Sequence, residues 1–175
     1  MARLIHQLLD FTRASFTGDL VLEKMPVDLA ELCLPLVKES ELTDPDHPVR
    51  CDVFGDVSGV WDPSRLGEAL SNLIGNAARH GRPNTPIDIL LRDEGSDVLV
   101  EVHNEGEPIP ENVLPELFTA FRGGTGQKRD ISKTGAGLGL GLFITKEIVR
   151  AHGGEICARS SEQQGTTFSM RLPRA

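Results

Sequence analysis

The chain has 175 residues, 39% apolar, 25% charged and 5% aromatic, with 18 basic against 26 acidic side chains and a net charge of -8. That length fits one domain with at most an appendage, burying roughly 70% of the unfolded surface. The acidic balance disfavours a nonspecific nucleic-acid or anionic-membrane surface. No run of about eighteen apolar residues exists to span a bilayer, and the mixed Met1–His6 start lacks the apolar stretch of a signal peptide. Cys33, Cys51 and Cys157 are odd in number and never spaced as CxxC, which reads as reduced thiols of a cytoplasmic protein.

In chain order, Met1, Leu4, Ile5, Leu8 and Phe11 recur at helical spacing, predicting an amphipathic helix over the first fourteen residues. Its sticky face suits a piece of a longer helix or a partner contact. Leu20 to Met25 reads as a strand closed by Pro26. Asp28, with Glu31 three residues on, opens a helix to about Lys38. Strands are expected at Val49–Val53 and Val57–Trp61. Asp62 followed by Pro63 starts a helix to about Arg79. Ile87–Leu91 and Val98–Val102 read as strands, Val113–Leu117 as a short helix, and Leu138–His152 as a helix stopped by Gly153 and Gly154. Glu155–Arg159 and Thr166–Leu172 close the chain as a hairpin. Hairpins mixed with helices argue for an α+β sandwich, with helices on one face of a mixed sheet.

Three patches carry chemistry. Residues 122–141 hold seven of the eighteen glycines, and Lys133 to Leu142 alternates glycine with small or apolar residues. Such a loop before a helix offers backbone N–H groups and a favourable dipole to an anion, and phosphate is the natural guest. No Gly-Lys-Ser/Thr ending follows it. The third glycine of a dinucleotide fingerprint is replaced by Leu140 or Leu142, according to the frame chosen. Arg122, Lys128, Arg129 and Lys133 make the segment locally basic, as suits a flap that closes over polyphosphate. Glu68, Asn72 and Asn76 fall on one helical face. Asparagine is a poor helix former, and its carbonyl with phosphate and water oxygens suits Mg²⁺, although a solvated face would show the same pattern. His103 to Pro110 follows a strand with a glycine turn, which can aim a polar side chain into a cleft or simply reverse the chain.

In this order the patches resemble the ATP-binding catalytic domain of sensor histidine kinases, in the GHKL ATPase superfamily. Asn72-Leu73-Ile74-Gly75-Asn76-Ala77 is similar to the N box, Asn104 to Pro110 to the G1 box, and Leu117 to Arg122 to the F box. Gly135 to Leu140 is similar to the G2 box, and Gly165-Thr166-Thr167-Phe168 to the last glycine motif. The resemblance spans about residues 20–173. Residues 3–13 resemble the end of the second helix of the dimerisation and phosphotransfer hairpin, so the chain divides into residues 1–16 and an ATP-binding unit at 17–175.

The resemblance implies a two-layer GHKL sandwich that binds ATP with Mg²⁺ and passes the γ-phosphoryl group to a histidine on a segment absent from this chain. Asn72 is implied as the Mg²⁺ ligand, with Asn76 beside it and Arg79 in the place of a phosphate-contacting lysine. His80 lies against the nucleotide, and Glu68 matches the general base of ATP-hydrolysing relatives. Gly106, Pro108, Ile109 and Thr167 join the pocket. So do Phe121, Arg122, Lys133, Gly135, Gly137, Leu138, Gly139 and Leu140, in or beside a lid at about residues 119–136. Asn104 replaces the usual adenine-binding aspartate and Pro108 the second G1 glycine. An amide can still accept from the adenine amino group but lacks the carboxylate's charge, which predicts weaker adenine discrimination. His6 sits in the second-helix pattern and is not the acceptor. Implied partners are a phosphoacceptor hairpin, a response regulator and a second copy through the first helix. A serine kinase of the anti-sigma type and a degenerate nucleotide-binding or docking module are the alternatives.

Overall fold

The computed structural model describes residues 20–120 and 140–175. The expected helix over residues 1–14 and the expected glycine-rich lid therefore lie outside the described residues, apart from the lid's first residues at 119 and 120.

Among the described residues there are seven strands and three helices: β1 (Met25–Asp28), α1 (Leu29–Thr43), β2 (Val49–Phe54), β3 (Ser58–Trp61), α2 (Pro63–His80), β4 (Ile87–Asp93), β5 (Asp97–Asn104), α3 (Gly141–Ala151), β6 (Glu155–Ser161) and β7 (Gly165–Pro173). A 3-10 turn at Leu114–Glu116 stands where a short helix was expected. The main sheet runs β2-β4-β5-β7-β6, with β2 and β4 parallel and the other pairs antiparallel, while β1 and β3 form a separate ribbon. Alternation along each strand sends Ile87, Ile89, Leu91, Val98, Val100, Val102, Phe168, Met170 and Leu172 to one face, where they are buried in a single core with Leu66, Leu70 and Leu73 of α2 and Ile144 and Ile148 of α3. The opposite face carries charged and polar residues such as Arg50, Asp88, Glu101 and Arg159. This is the expected α+β sandwich.

Local chemistry sets the helix starts. Asp28 accepts from the Ala30 N–H at 2.8 Å, and Asp62 accepts from the Arg65 N–H at 3.1 Å with Pro63 at the first helical position. Two boundaries differ most from the sequence reading. The first strand lies at Met25–Asp28, not Leu20–Met25, because its partner β3 begins at Ser58, opposite Asp28. Pro26 is tolerated there because Val60, its opposite residue, sends its N–H to the Arg174 carbonyl instead. Helix α1 runs past Lys38 to Thr43: the Thr43 hydroxyl caps the Glu39 carbonyl and Asp44 N–H the Ser40 carbonyl, both at 2.8 Å.

Candidate nucleotide site

Helix α2 presents Glu68, Asn72, Asn76 and Arg79 along one side, above the buried Leu66, Leu73 and Ala77. Glu68 is held by Arg65 at 3.1 Å. The Asn72 amide donates from Nδ2 to the Gly141 carbonyl at 3.3 Å, and the same carbonyl accepts from the fully buried Thr145 hydroxyl at 2.8 Å. With one Nδ2 hydrogen given to α3, Asn72 presents Oδ1 as a ligand atom. That fits Mg²⁺ held by one neutral protein oxygen, with phosphate and water supplying the rest. Among the described residues no group of three or more His, Cys, Asp or Glu could hold a metal ion.

The first turn of α3 faces the same place. Its N-cap is Leu140, buried and without any side-chain acceptor, in contrast to the aspartates that cap α1 and α2. An uncapped, eleven-residue helix start beside an asparagine oxygen is a place where an anion is stabilised.

The loop after β5 forms the neighbouring wall. Asn104 ends β5 and is only 3% exposed; its Nδ2 donates to the Glu105 carbonyl at 3.2 Å, leaving Oδ1 as an acceptor. Two glycines fix this corner. Gly106 bridges to Gly81, and a Cβ on it would overlap the His80 carbonyl; Arg82 N–H adds a 2.6 Å bond to the Glu105 carbonyl. Gly165 has φ of +67° and lies so close to the Asn104 carbonyl that no side chain fits. Ile109 and Leu117 pack against the core, and Phe118 meets Phe168 edge-on at 6.3 Å.

The expected site residues do not all converge. Glu68 and Asn76 share the α2 face of Asn72, Asn72 meets the start of α3 after Leu140, and Asn104, Gly106 and Ile109 lie at the end of β5 and in the loop after it, where Pro108 is exposed. His80 is exposed at the end of α2, and Arg79 also lines a groove against α1 with Glu39 and Asp44. Thr167 stands apart: it lies on the sheet's outer face, bonded to His103 at 2.9 Å. Its neighbour Thr166 lies on the inner face, directly across from Asn104. Strand alternation gave a signal for one of the two threonines but no absolute phase. Phe121, Arg122, Lys133, Gly135, Gly137, Leu138 and Gly139 lie outside the described residues.

A different junction closes the far end of α2. Trp61, fully buried, donates to the Pro173 carbonyl at 2.6 Å. His152 accepts the Asp62 N–H at 3.0 Å and gives its Nδ1 proton to the Ile148 carbonyl at 2.8 Å; burial holds its pKa below the usual imidazole value, in the neutral form this pairing needs. Arg174 ties Ser58, Asp56, Gly95 and Asp93 together.

This mixed sheet, with an asparagine-bearing helix and an uncapped helix start on one side, defines the class: a GHKL-type ATPase fold. The family profile described as histidine kinase-, DNA gyrase B-, and HSP90-like ATPase matches residues 61–175, and the chain belongs to that family. Its relatives include histidine kinases. A bacteriophytochrome of Pseudomonas aeruginosa is 31% identical over 99% of this chain and 23% of its own length, and the signal transduction histidine-protein kinase AfsQ2 of Streptomyces coelicolor is 34% identical over 98% and 30%. The chain thus spans about a quarter to a third of these relatives. The nucleotide-free catalytic domain of the histidine kinase ThkA superposes with a TM-score of 0.73 at 28% identity, covering 87% of this chain and 96% of that one. ThkA has also been solved in complex with the response regulator TrrA; that kinase is 26% identical, with a TM-score of 0.76 over 99% of this chain and 48% of its own. The proteins similar to this chain include histidine kinases, which does not favour the anti-sigma serine kinase.

Proposed function

We propose that this domain binds Mg-ATP and transfers the γ-phosphoryl group to the imidazole of a histidine on a separate dimerisation hairpin, from which a response regulator is then charged. The observation that carries the reading is the Asn72–Gly141 bond, which turns an asparagine oxygen toward an uncapped helix start. Asn104 Oδ1 accepts from the adenine amino group. The first turn of α3 and Arg79 offset phosphate charge, with Arg122, Lys133 and the glycines Gly135, Gly137 and Gly139 assigned to closing over it. Mg²⁺ held at Asn72, with Asn76 beside it, supplies charge neutralisation across the phosphates. Bond making is then a matter of placing the acceptor nitrogen in line with the leaving oxygen. A neutral imidazole is already nucleophilic near pH 7, so Glu68 has a proton-accepting role only where water is the acceptor.

The same reading assigns residues 1–16 to the end of the second hairpin helix, through which two copies associate, and places the domain in the cytoplasm. No helix among the described residues is long and apolar enough to cross a membrane. Mixing the chain with labelled ATP and a hairpin carrying the acceptor tests the proposal. Acid-labile label on the hairpin is expected; ATP binding without any such label overturns it.

A further inference from the structure

The inner face of the sheet is apolar through its middle rows. One row in, Cys51, Ile89, Val102, Phe168 and Ala158 lie side by side across the five strands. The next row starts the same way, with Val49 and Ile87, and then turns polar through Asn104, Thr166 and Ser160 on β5, β7 and β6. Cross-strand neighbours have Cβ atoms about 5 Å apart, so these three side chains form a continuous polar edge. Buried polar groups are costly without partners, and this edge has specific ones. The Ile109 N–H donates to Ser160 Oγ at 2.9 Å, and Ser160 Oγ lies 2.7 Å from Thr166 Oγ1. Ser160 therefore joins the Asn104–Pro110 loop to the threonine facing Asn104.

Either hydroxyl of this pair can donate to the other. Ser160 Oγ accepts the Ile109 N–H; in the arrangement where its own hydrogen goes to Thr166 Oγ1, the Thr166 hydrogen is left to donate elsewhere. Asn104, its Nδ2 held by Glu105, offers an acceptor beside it. An acceptor next to a donor complements adenine's amino group and neighbouring ring nitrogen. Guanine presents a carbonyl and an N–H there, the reverse pattern, and would set its oxygen against that of Asn104.

We propose that Ser160 is a positioning residue for base selection. Through Thr166 and Ile109 it sets the donor that, with the oriented Asn104 amide, favours ATP over GTP without the carboxylate usual at that place. This rests on the nucleotide site proposed above. The test measures Kd for Mg-ATP and Mg-GTP on the whole chain and on Ser160→Ala, Ser160→Thr and Thr166→Val, with thermal unfolding of each. The unaltered chain is expected to prefer ATP. Ser160→Ala and Thr166→Val should each lower the ATP:GTP preference about 5- to 10-fold, the size of one neutral hydrogen bond. Ser160→Thr should restore most of it, and a variant combining Ser160→Ala with Thr166→Val should lose little more than either single one. Should Ser160→Ala fail to fold, the near-isosteric Thr166→Val reads the same hydroxyl chain. A preference unchanged in Thr166→Val, or equal weakening of both nucleotides, overturns the inference. An unaltered chain that binds neither nucleotide contradicts the site reading itself.

Discussion

The two ends of α2 are built on opposite principles. At its start every polar group is answered: Asp62 caps Arg65 N–H with Oδ1, takes Glu23 N–H with Oδ2 at 2.9 Å, and gives its own N–H to the buried His152. Trp61 and Arg174 seal the same corner against the end of the chain. Toward its other end the helix spends two positions on asparagine and faces a second helix whose start has only leucine for a cap. Closed polar networks hold a fold in one state, whereas groups left half-satisfied are ready for a ligand. The difference assigns stability to one end of α2 and chemistry to the other.

Substitutions should separate the two. Trp61→Ala should cost the most, about 3–5 kcal/mol of unfolding free energy, by leaving a cavity and an unpaired Pro173 carbonyl. Measured by denaturant titration, that loss should come with Mg-ATP affinity within about twofold of the original in buffer where the protein stays folded, since a ligand-site change of that size is only ~0.4 kcal/mol. Asn72→Ala should do the reverse. Its unfolding midpoint should stay close to the original while the Mg²⁺-dependent part of ATP affinity falls about 100-fold, near the upper range for loss of a metal-site group. An unaltered Mg²⁺ dependence in that variant refutes the ligand assignment.

Smaller effects sharpen the picture of the closed end. Because burial lowers the His152 pKa in the folded state, the unfolded chain binds the proton more readily. Stability is therefore fully present above the unfolded value of about 6.5 and declines as pH falls toward the folded value, by at most about 1.4 kcal/mol per pH unit. Unfolding curves between pH 7 and 5 should show this slope, and His152→Gln should flatten it. The smallest effect concerns thiols. Cys33 is buried, and its pairing with the Cys51 thiol together with burial pushes its pKa up, while Cys157 is exposed. A thiol reagent should label Cys157 fast and Cys33 only on unfolding; equal rates would show that the α1–β2 contact opens readily.

Much of this was legible locally. Asp62-Pro63 and Asp28 announced their helices, and alternation located β2 and β4 to β7, because caps and strand periodicity act within a few residues. The misplaced first strand depended on β3, more than thirty positions away, and on Arg174 at the far end of the chain. Thr166 and Thr167 fall on opposite faces because a one-residue step moves a strand side chain to the other face. That phase is fixed by the approach of Gly165 to the Asn104 carbonyl, which pattern alone does not contain. The His152–Asp62 bond joins residues ninety positions apart and left no mark beyond a histidine before two glycines.

The central claim is that the open end of α2 holds a nucleoside triphosphate through a divalent cation. Calorimetric titration of the chain with ATP, with Mg²⁺ and then with the metal chelated, tests it most directly. One saturable site that weakens sharply on chelation is the predicted result. No heat at millimolar Mg-ATP, or an affinity indifferent to the metal, would contradict it.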